Sequence, residues 1–136
     1  MAVKGGRIVT HAQLADINAR LGPVEIQIAD DLYIAPVTAN ERESSMLYSN
    51  HSCDANLGMS GNIVFVAIRQ IRAGEELTHD WCITDDDTYE VMCRCGSVHC
   101  RHTLTGKDWQ RPDLQARYHG YFSAYVAAKI QASRRR

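Results

Sequence analysis

Apolar side chains recur three and four residues apart at Leu14, Ile17 and Leu21, and this spacing predicts a helix with one buried face. Thr10 stands where an N-cap is needed, and Gly22-Pro23 supplies a terminating glycine and a breaker. The period then changes to two. Val24-Glu25-Ile26-Gln27-Ile28 alternates, Asp30-Asp31 turns the chain, and Leu32-Tyr33-Ile34-Ala35-Pro36 returns as the second strand of a β-hairpin. Pro36 has no amide hydrogen and ends that strand. Thr38 to Ser45 is polar and reads as a loop, leading to a short turn at Met46-Leu47-Tyr48 that delivers Asn50.

Further along, Asn62 to Ile68 is nearly continuously apolar behind a Gly61-Asn62 turn, the mark of a core strand. Pro112 to Tyr118 and Tyr121 to Ile130 read as two short helices interrupted at Gly120, with Phe122, Val126 and Ile130 on one packing face. Short strands, many turns and peripheral helices predict a β-rich α+β fold. No repeat or linker divides the pattern. A chain of 136 residues buries roughly two-thirds of its unfolded surface in one modest core, so one compact unit is expected.

Composition narrows the setting. Five cysteines, an odd number, with no apolar leader at Met1-Ala2-Val3-Lys4, point to a reducing cytoplasmic or nuclear compartment rather than a secreted disulfide framework. No apolar run approaches membrane-spanning length. A formal charge of -1 provides no field for specific nucleic-acid binding, and Arg134-Arg135-Arg136 reads as a solvated end. Asp85-Asp86-Asp87 reads as a solvated face, with attraction for a basic peptide as the alternative.

The chemistry lies in two clusters, Asn50-His51-Ser52-Cys53 and Cys93-Arg94-Cys95-Gly96-Ser97-Val98-His99-Cys100. A tetrahedral zinc site needs short ligand groups brought together by the fold, and Cys53, Cys93, Cys95 and Cys100 provide that set. Cysteines also pack as small hydrophobes, so spacing alone leaves both readings open. His99 and His102 flank Cys100 as alternative ligands. Cys82 is left over, either a buried inert thiol or a reactive one.

Asn50-His51-Ser52-Cys53 followed by Asp54-Ala55-Asn56, then Gly74-Glu75-Glu76-Leu77-Thr78-His79-Asp80-Trp81, then the cysteine cluster, resembles the SET-domain protein-lysine methyltransferases with a post-SET zinc segment. The resemblance implies a SET-type fold whose pseudoknot sets the two motifs side by side. It assigns residues 1–92 to an N-terminally incomplete SET domain and 93–136 to the zinc segment and C-terminal helices. It also implies methyl transfer from S-adenosylmethionine to a lysine of a protein substrate. Asn50, His51, Trp81 and Arg94 would bind the cofactor, Trp81 and His79 would occupy the catalytic positions, and the four cysteines would hold zinc.

Several positions depart from the family pattern. Trp81 stands where the family has a catalytic tyrosine, and an indole has no phenol oxygen, though its face can hold a cation. His79 replaces the aromatic that sets how many methyl groups are added. The chain opens at Lys4-Gly5-Gly6-Arg7, which resembles sequence beyond the family's glycine-rich GxG segment, so a missing edge strand and pairing or strand exchange with a second copy are expected. His102 stands where the zinc segment usually has glycine. These departures keep two other readings in view: a catalytically inactive, zinc-stabilised SET-like binding module, and a zinc–thiolate redox sensor.

Overall fold

The computed structural model describes residues 1–44 and 49–136, and the turn expected at Met46-Leu47-Tyr48 lies outside them. The chain opens with β1 (Ala2–Val3) and β2 (Arg7–Thr10), neither of which its sequence pattern had announced. α1 (His11–Leu21) follows, closed by a reciprocal capping box between Thr10 and Gln13 and ended by Gly22 at φ 78°. The hairpin β3 (Ile26–Ala29) and β4 (Leu32–Ala35) forms where the period-two pattern placed it, and β2 pairs antiparallel with the other side of β4. Leu14 and Ile17 of α1 bury against Val9, Tyr33 and Ala35 of this three-stranded sheet.

The polar run after Val37 is a short helix, α2 (Ala39–Ser44), not the loop expected from its composition. It buries no side chain, so periodicity carries no signal there. Local bonds start it instead. The Glu41 amide donates to the Thr38 hydroxyl at 3.2 Å, and the Glu41 carboxylate accepts the Val37 amide at 2.8 Å.

A second sheet of five strands carries the motifs, in the order β1, β7 (Val64–Ala67), β6 (Leu57–Ser60), β8 (Thr78–His79), β5 (Asn50–His51). The apolar run at 62–68 contributes β7, with Phe65 wholly buried. Behind the sheet, α3 (Pro112–Arg117) and α4 (Ala124–Arg134) bring Leu114, Tyr118, Val126 and Ile130 onto Met59 and Ile83, and Gly120 between them sits at φ 82°. The last sheet is the hairpin β9 (Glu90–Met92) and β10 (Thr103–Thr105), whose connecting loop holds the cysteine cluster.

Asp85, Asp86 and Asp87 are not a solvated face. Tyr89 donates its hydroxyl to Asp85 at 3.1 Å, Trp109 and Lys107 donate to Asp86 at 2.6 and 2.8 Å, and Tyr33 donates to Asp87 at 2.6 Å. Lys129 of α4 also pairs with Asp86 at 2.8 Å. Gly106 passes so close to this run that a Cβ there would collide with the Asp87 carbonyl. Carboxylates engaged in this way have little left for a basic peptide. Among the described residues, no helix is long and apolar enough to cross a membrane.

Candidate active site and metal centre

β5 and β8 run parallel, Asn50 opposite Thr78 and His51 opposite His79, so the two sequence motifs lie side by side. Asn56 latches them. Its amide donates to Glu75 and to the Glu76 carbonyl at 3.1 and 2.7 Å, and its oxygen accepts the Thr78 amide at 2.9 Å. Asn50 is exposed and donates to the Glu76 carboxylate at 2.7 Å. β5 is the last strand of its sheet, and its outer edge is unpaired by any other strand among the described residues.

His51 is half-buried between the motifs and the thiols. Its Nδ1 accepts the Trp81 amide at 3.3 Å, which assigns the ring proton to Nε2, and Nε2 lies 3.3 Å from the Cys53 sulfur. Burial lowers the His51 pKa against the pull of Asp80, in keeping with a neutral ring. The Trp81 indole stands edge-on to His51 at 5.4 Å and to Tyr89 at 6.2 Å. Trp81 is the first residue of a single helical turn, Trp81–Ile83, capped by Asp80.

His79 has a different setting. It is buried, its Nδ1 is 2.9 Å from the Ser49 hydroxyl, and its ring lies 5.1 Å from Phe65. Burial, with the charge of Lys4 adding to it, pushes its pKa down to about 3. At neutral pH it is an uncharged ring of the core.

His51, Cys53, Cys93 and Cys95 place their donor atoms within 4.8 Å of one another. Cys100 stands just outside this group, with its sulfur 3.6 Å from the Cys93 carbonyl. Burial drives the Cys53 thiol up to about 12. Burial also opposes ionisation of Cys95, yet backbone groups of Cys53 and Ser97 and the neighbouring thiols bring it down to about 7. The donor set fits a soft divalent metal: the sulfurs of Cys53, Cys93 and Cys95 converge with the His51 imidazole, and the Cys100 sulfur, 3.9 Å from His102 Nδ1, stands beside them. His51 Nε2 and the Cys100 sulfur are thus the two candidates for a fourth position beside Cys53, Cys93 and Cys95. His102, beside Cys100, adopts φ 62°, which explains why glycine suits that position.

Arg94 lies between two of the clustered cysteines, Cys93 and Cys95. It is exposed, donates to the Met92 sulfur at 3.3 Å, and lines a shallow cleft of about 440 Å³ with Glu90, Val91, His102 and Thr103. Cys82 is buried away from the cluster, its thiol pushed well up by that burial, which suits an inert residue.

Arg101 escaped the reading of the sequence. Its guanidinium grips the buried Asp80 carboxylate at 2.6 and 2.7 Å and reaches Asp108 at 3.0 Å, while its amide points at the Cys53 sulfur from 3.4 Å. Asp80 belongs to a motif already singled out, so half of this ion pair was in view, whereas nothing in the local pattern marks Arg101.

The sequence profile of the SET domain matches residues 8–82 of this chain, more than half its length. The chain belongs to the SET-domain family. Its relatives include the histone-lysine N-methyltransferase Su(var)3-9 of Drosophila pseudoobscura pseudoobscura, 38% identical over 77 residues, a match covering 42% of this chain and 12% of the relative. Another is the histone-lysine N-methyltransferase trithorax of Drosophila virilis, 36% identical over 92 residues, covering 62% of this chain and 2% of the relative. Histone-lysine N-methyltransferase 2D of Homo sapiens is 36% identical over 62 residues, covering 40% and 1%. This SET domain therefore corresponds to a small part of each of these larger proteins.

Proposed function

We propose that this SET domain is a protein-lysine N-methyltransferase that uses S-adenosylmethionine, acts on a nuclear protein such as a histone, and turns over slowly because of Trp81. One observation carries the reading: the parallel pairing of β5 with β8 gathers Asn50, His51 and the Trp81 turn at the end of the five-stranded sheet, beside the thiol cluster. The cofactor supplies a sulfonium-activated methyl group. Asn50 is the exposed amide suited to its polar end, and the Trp81 face attracts a cationic sulfonium by about 0.5–2 kcal/mol. The attacking lysine must be neutral, and desolvation of its amine against the partly buried Trp81 and Tyr89 would favour that form. A phenol in place of the indole would add a hydroxyl able to orient the amine, which Trp81 lacks.

In this reading residues 1–92 form the SET domain and 93–136 form its zinc segment and helices. Zinc is held by Cys53, Cys93, Cys95 and Cys100, and His51 hydrogen-bonds the Cys53 sulfur. Metal analysis is expected to give one zinc per chain, and calorimetry to detect S-adenosylmethionine binding. Transfer of labelled methyl groups to histones is expected to be slow in the parent and to rise about tenfold in Trp81→Tyr, the effect of one well-placed transition-state contact. Parent activity equal to or above that of the tyrosine variant would make Trp81 a working catalytic residue.

Trp81 itself favours a second reading, a zinc-stabilised binding module. That reading predicts cofactor or peptide binding without methyl transfer by either form.

A further inference from the structure

Two runs of hydrogen bonds lead from the Cys53 sulfur to the turn bearing Trp81. One passes through His51, from Nε2 at the sulfur to Nδ1 at the Trp81 amide. The other passes through Arg101. Its amide meets the same sulfur, its forked guanidinium takes both Asp80 oxygens, and Asp80 caps the turn by accepting the Cys82 amide at 3.2 Å. Asp80 is wholly buried and also accepts the Tyr118 hydroxyl at 3.2 Å, so its carboxylate is held from several directions and has no freedom to follow another partner. Arg101 is covalently the next residue after Cys100. Fixing the thiol cluster therefore fixes the root of Arg101, and the rigid fork carries that placement into the turn.

We propose that Arg101 is a positioning residue through which metal occupancy of the thiol cluster sets the placement of the Trp81 ring. The consequence for cofactor binding rests on the methyltransferase reading, whereas the mechanical link does not. Tyr118, at the end of α3, and Asp108 buttress the link from behind, Asp108 by accepting Arg101 Nε at 3.0 Å and the Thr105 hydroxyl at 2.9 Å. A purely structural ion pair would stabilise the whole chain. A positioning residue does something narrower, making the state of Trp81 depend on the metal.

The test compares the zinc-loaded and chelated chain in the parent, Arg101→Met and Arg101→Lys. The methionine variant keeps the backbone amide on Cys53 and removes only the fork. The double variant Asp80→Asn/Arg101→Met leaves no lone buried carboxylate at position 80 and serves where the single change unfolds. The two indole N–H resonances of 15N-labelled protein are read, Trp81 as reporter and Trp109, tied to Asp86, as internal reference. In the parent, chelation is expected to move the Trp81 resonance well beyond that of Trp109. In Arg101→Met or the double variant, with zinc content unchanged, Trp81 is expected to start near its metal-free position and to shift on chelation by less than about half the parent value, with Arg101→Lys restoring only part of the response. Equal responses of Trp81 in parent and variants, or equal responses of Trp81 and Trp109 in the parent, overturn the proposal. In parallel, chelation is expected to weaken S-adenosylmethionine binding about tenfold in the parent and less than about threefold in the methionine variant. A parent that binds no cofactor overturns the methyltransferase reading and leaves the resonances to decide the role of Arg101.

Discussion

The sheet β2-β4-β3 with α1 and the cysteine hairpin β9–β10 are both small, yet they hold together by different means. The first is closed by apolar side chains from its own neighbourhood, Val9, Leu14, Ile17, Tyr33 and Ala35. The second buries only Leu104 with its thiols, against partly buried Trp81 and Tyr89, and its polar contacts reach far along the chain: Cys53 to Cys93 and Arg101 to Asp80. Where apolar area is scarce, directional bonds must supply more of the order, and the thiols offer a place for a metal to add to it. Such a region opens as a unit once its donors are lost.

Metal removal exerts the largest pull on this contrast. Structural zinc in small domains contributes on the order of 10 kcal/mol of binding free energy, so chelation or Cys93→Ser is expected to expose the amides of residues 93–108 to rapid hydrogen exchange. The amides of α1 are expected to stay protected. Equal loss of protection in both regions would erase the distinction.

Leu14→Ala is the converse. Truncating a buried leucine in a packed cluster costs about 2–5 kcal/mol, read by denaturant unfolding, with zinc stoichiometry unchanged in the folded protein.

Acid separates the regions less strongly. His79 takes up its proton at 6.5 when unfolded but only at about 3 when folded, so between these values the unfolded chain binds more protons and stability falls as the pH falls. From pH 6.5 to 5 the loss is about 2 kcal/mol for this one ring. His51 acts in the same direction, whereas Asp85, whose carboxyl is raised by burial, acts in the opposite one. Comparison with His79→Gln, which retains a polar group for Ser49, isolates the effect: the variant's stability curve is expected to be flatter by that amount. Parallel curves would show that His79 is protonated in the folded state.

The smallest change concerns the cysteine loop. His102→Gly removes a side chain from a left-handed backbone position and is expected to raise stability by up to about 1 kcal/mol in thermal unfolding, with no effect on α1.

The same contrast governs what could be read from the chain. α1, the β3–β4 hairpin, β7 and the C-terminal helices were legible because each buries a face whose period is written locally. β1, β5 and β8 span two residues each, too few for any period, and they exist only because distant partners pair with them. α2 was missed for the opposite reason, since its bonds are local but its side chains bury nothing. In the site, Asn50, His51 and the cysteines stood out as motifs. The grip of Arg101 on Asp80 spans 21 positions and left no trace in either stretch of sequence.

The aspartate run at 85–87 constrains the chain in a further way. Three consecutive carboxylates face three different directions, toward Tyr89, toward Trp109 with Lys107 and Lys129, and toward Tyr33. The segment works as a keyed connector whose teeth each fit one socket. Conservative exchange of a single tooth weakens one joint, but inserting one residue anywhere within the run would shift every tooth to the wrong socket at once. This short acidic stretch is therefore far less tolerant of length change than of substitution, although in sequence it looks like the most expendable loop in the chain.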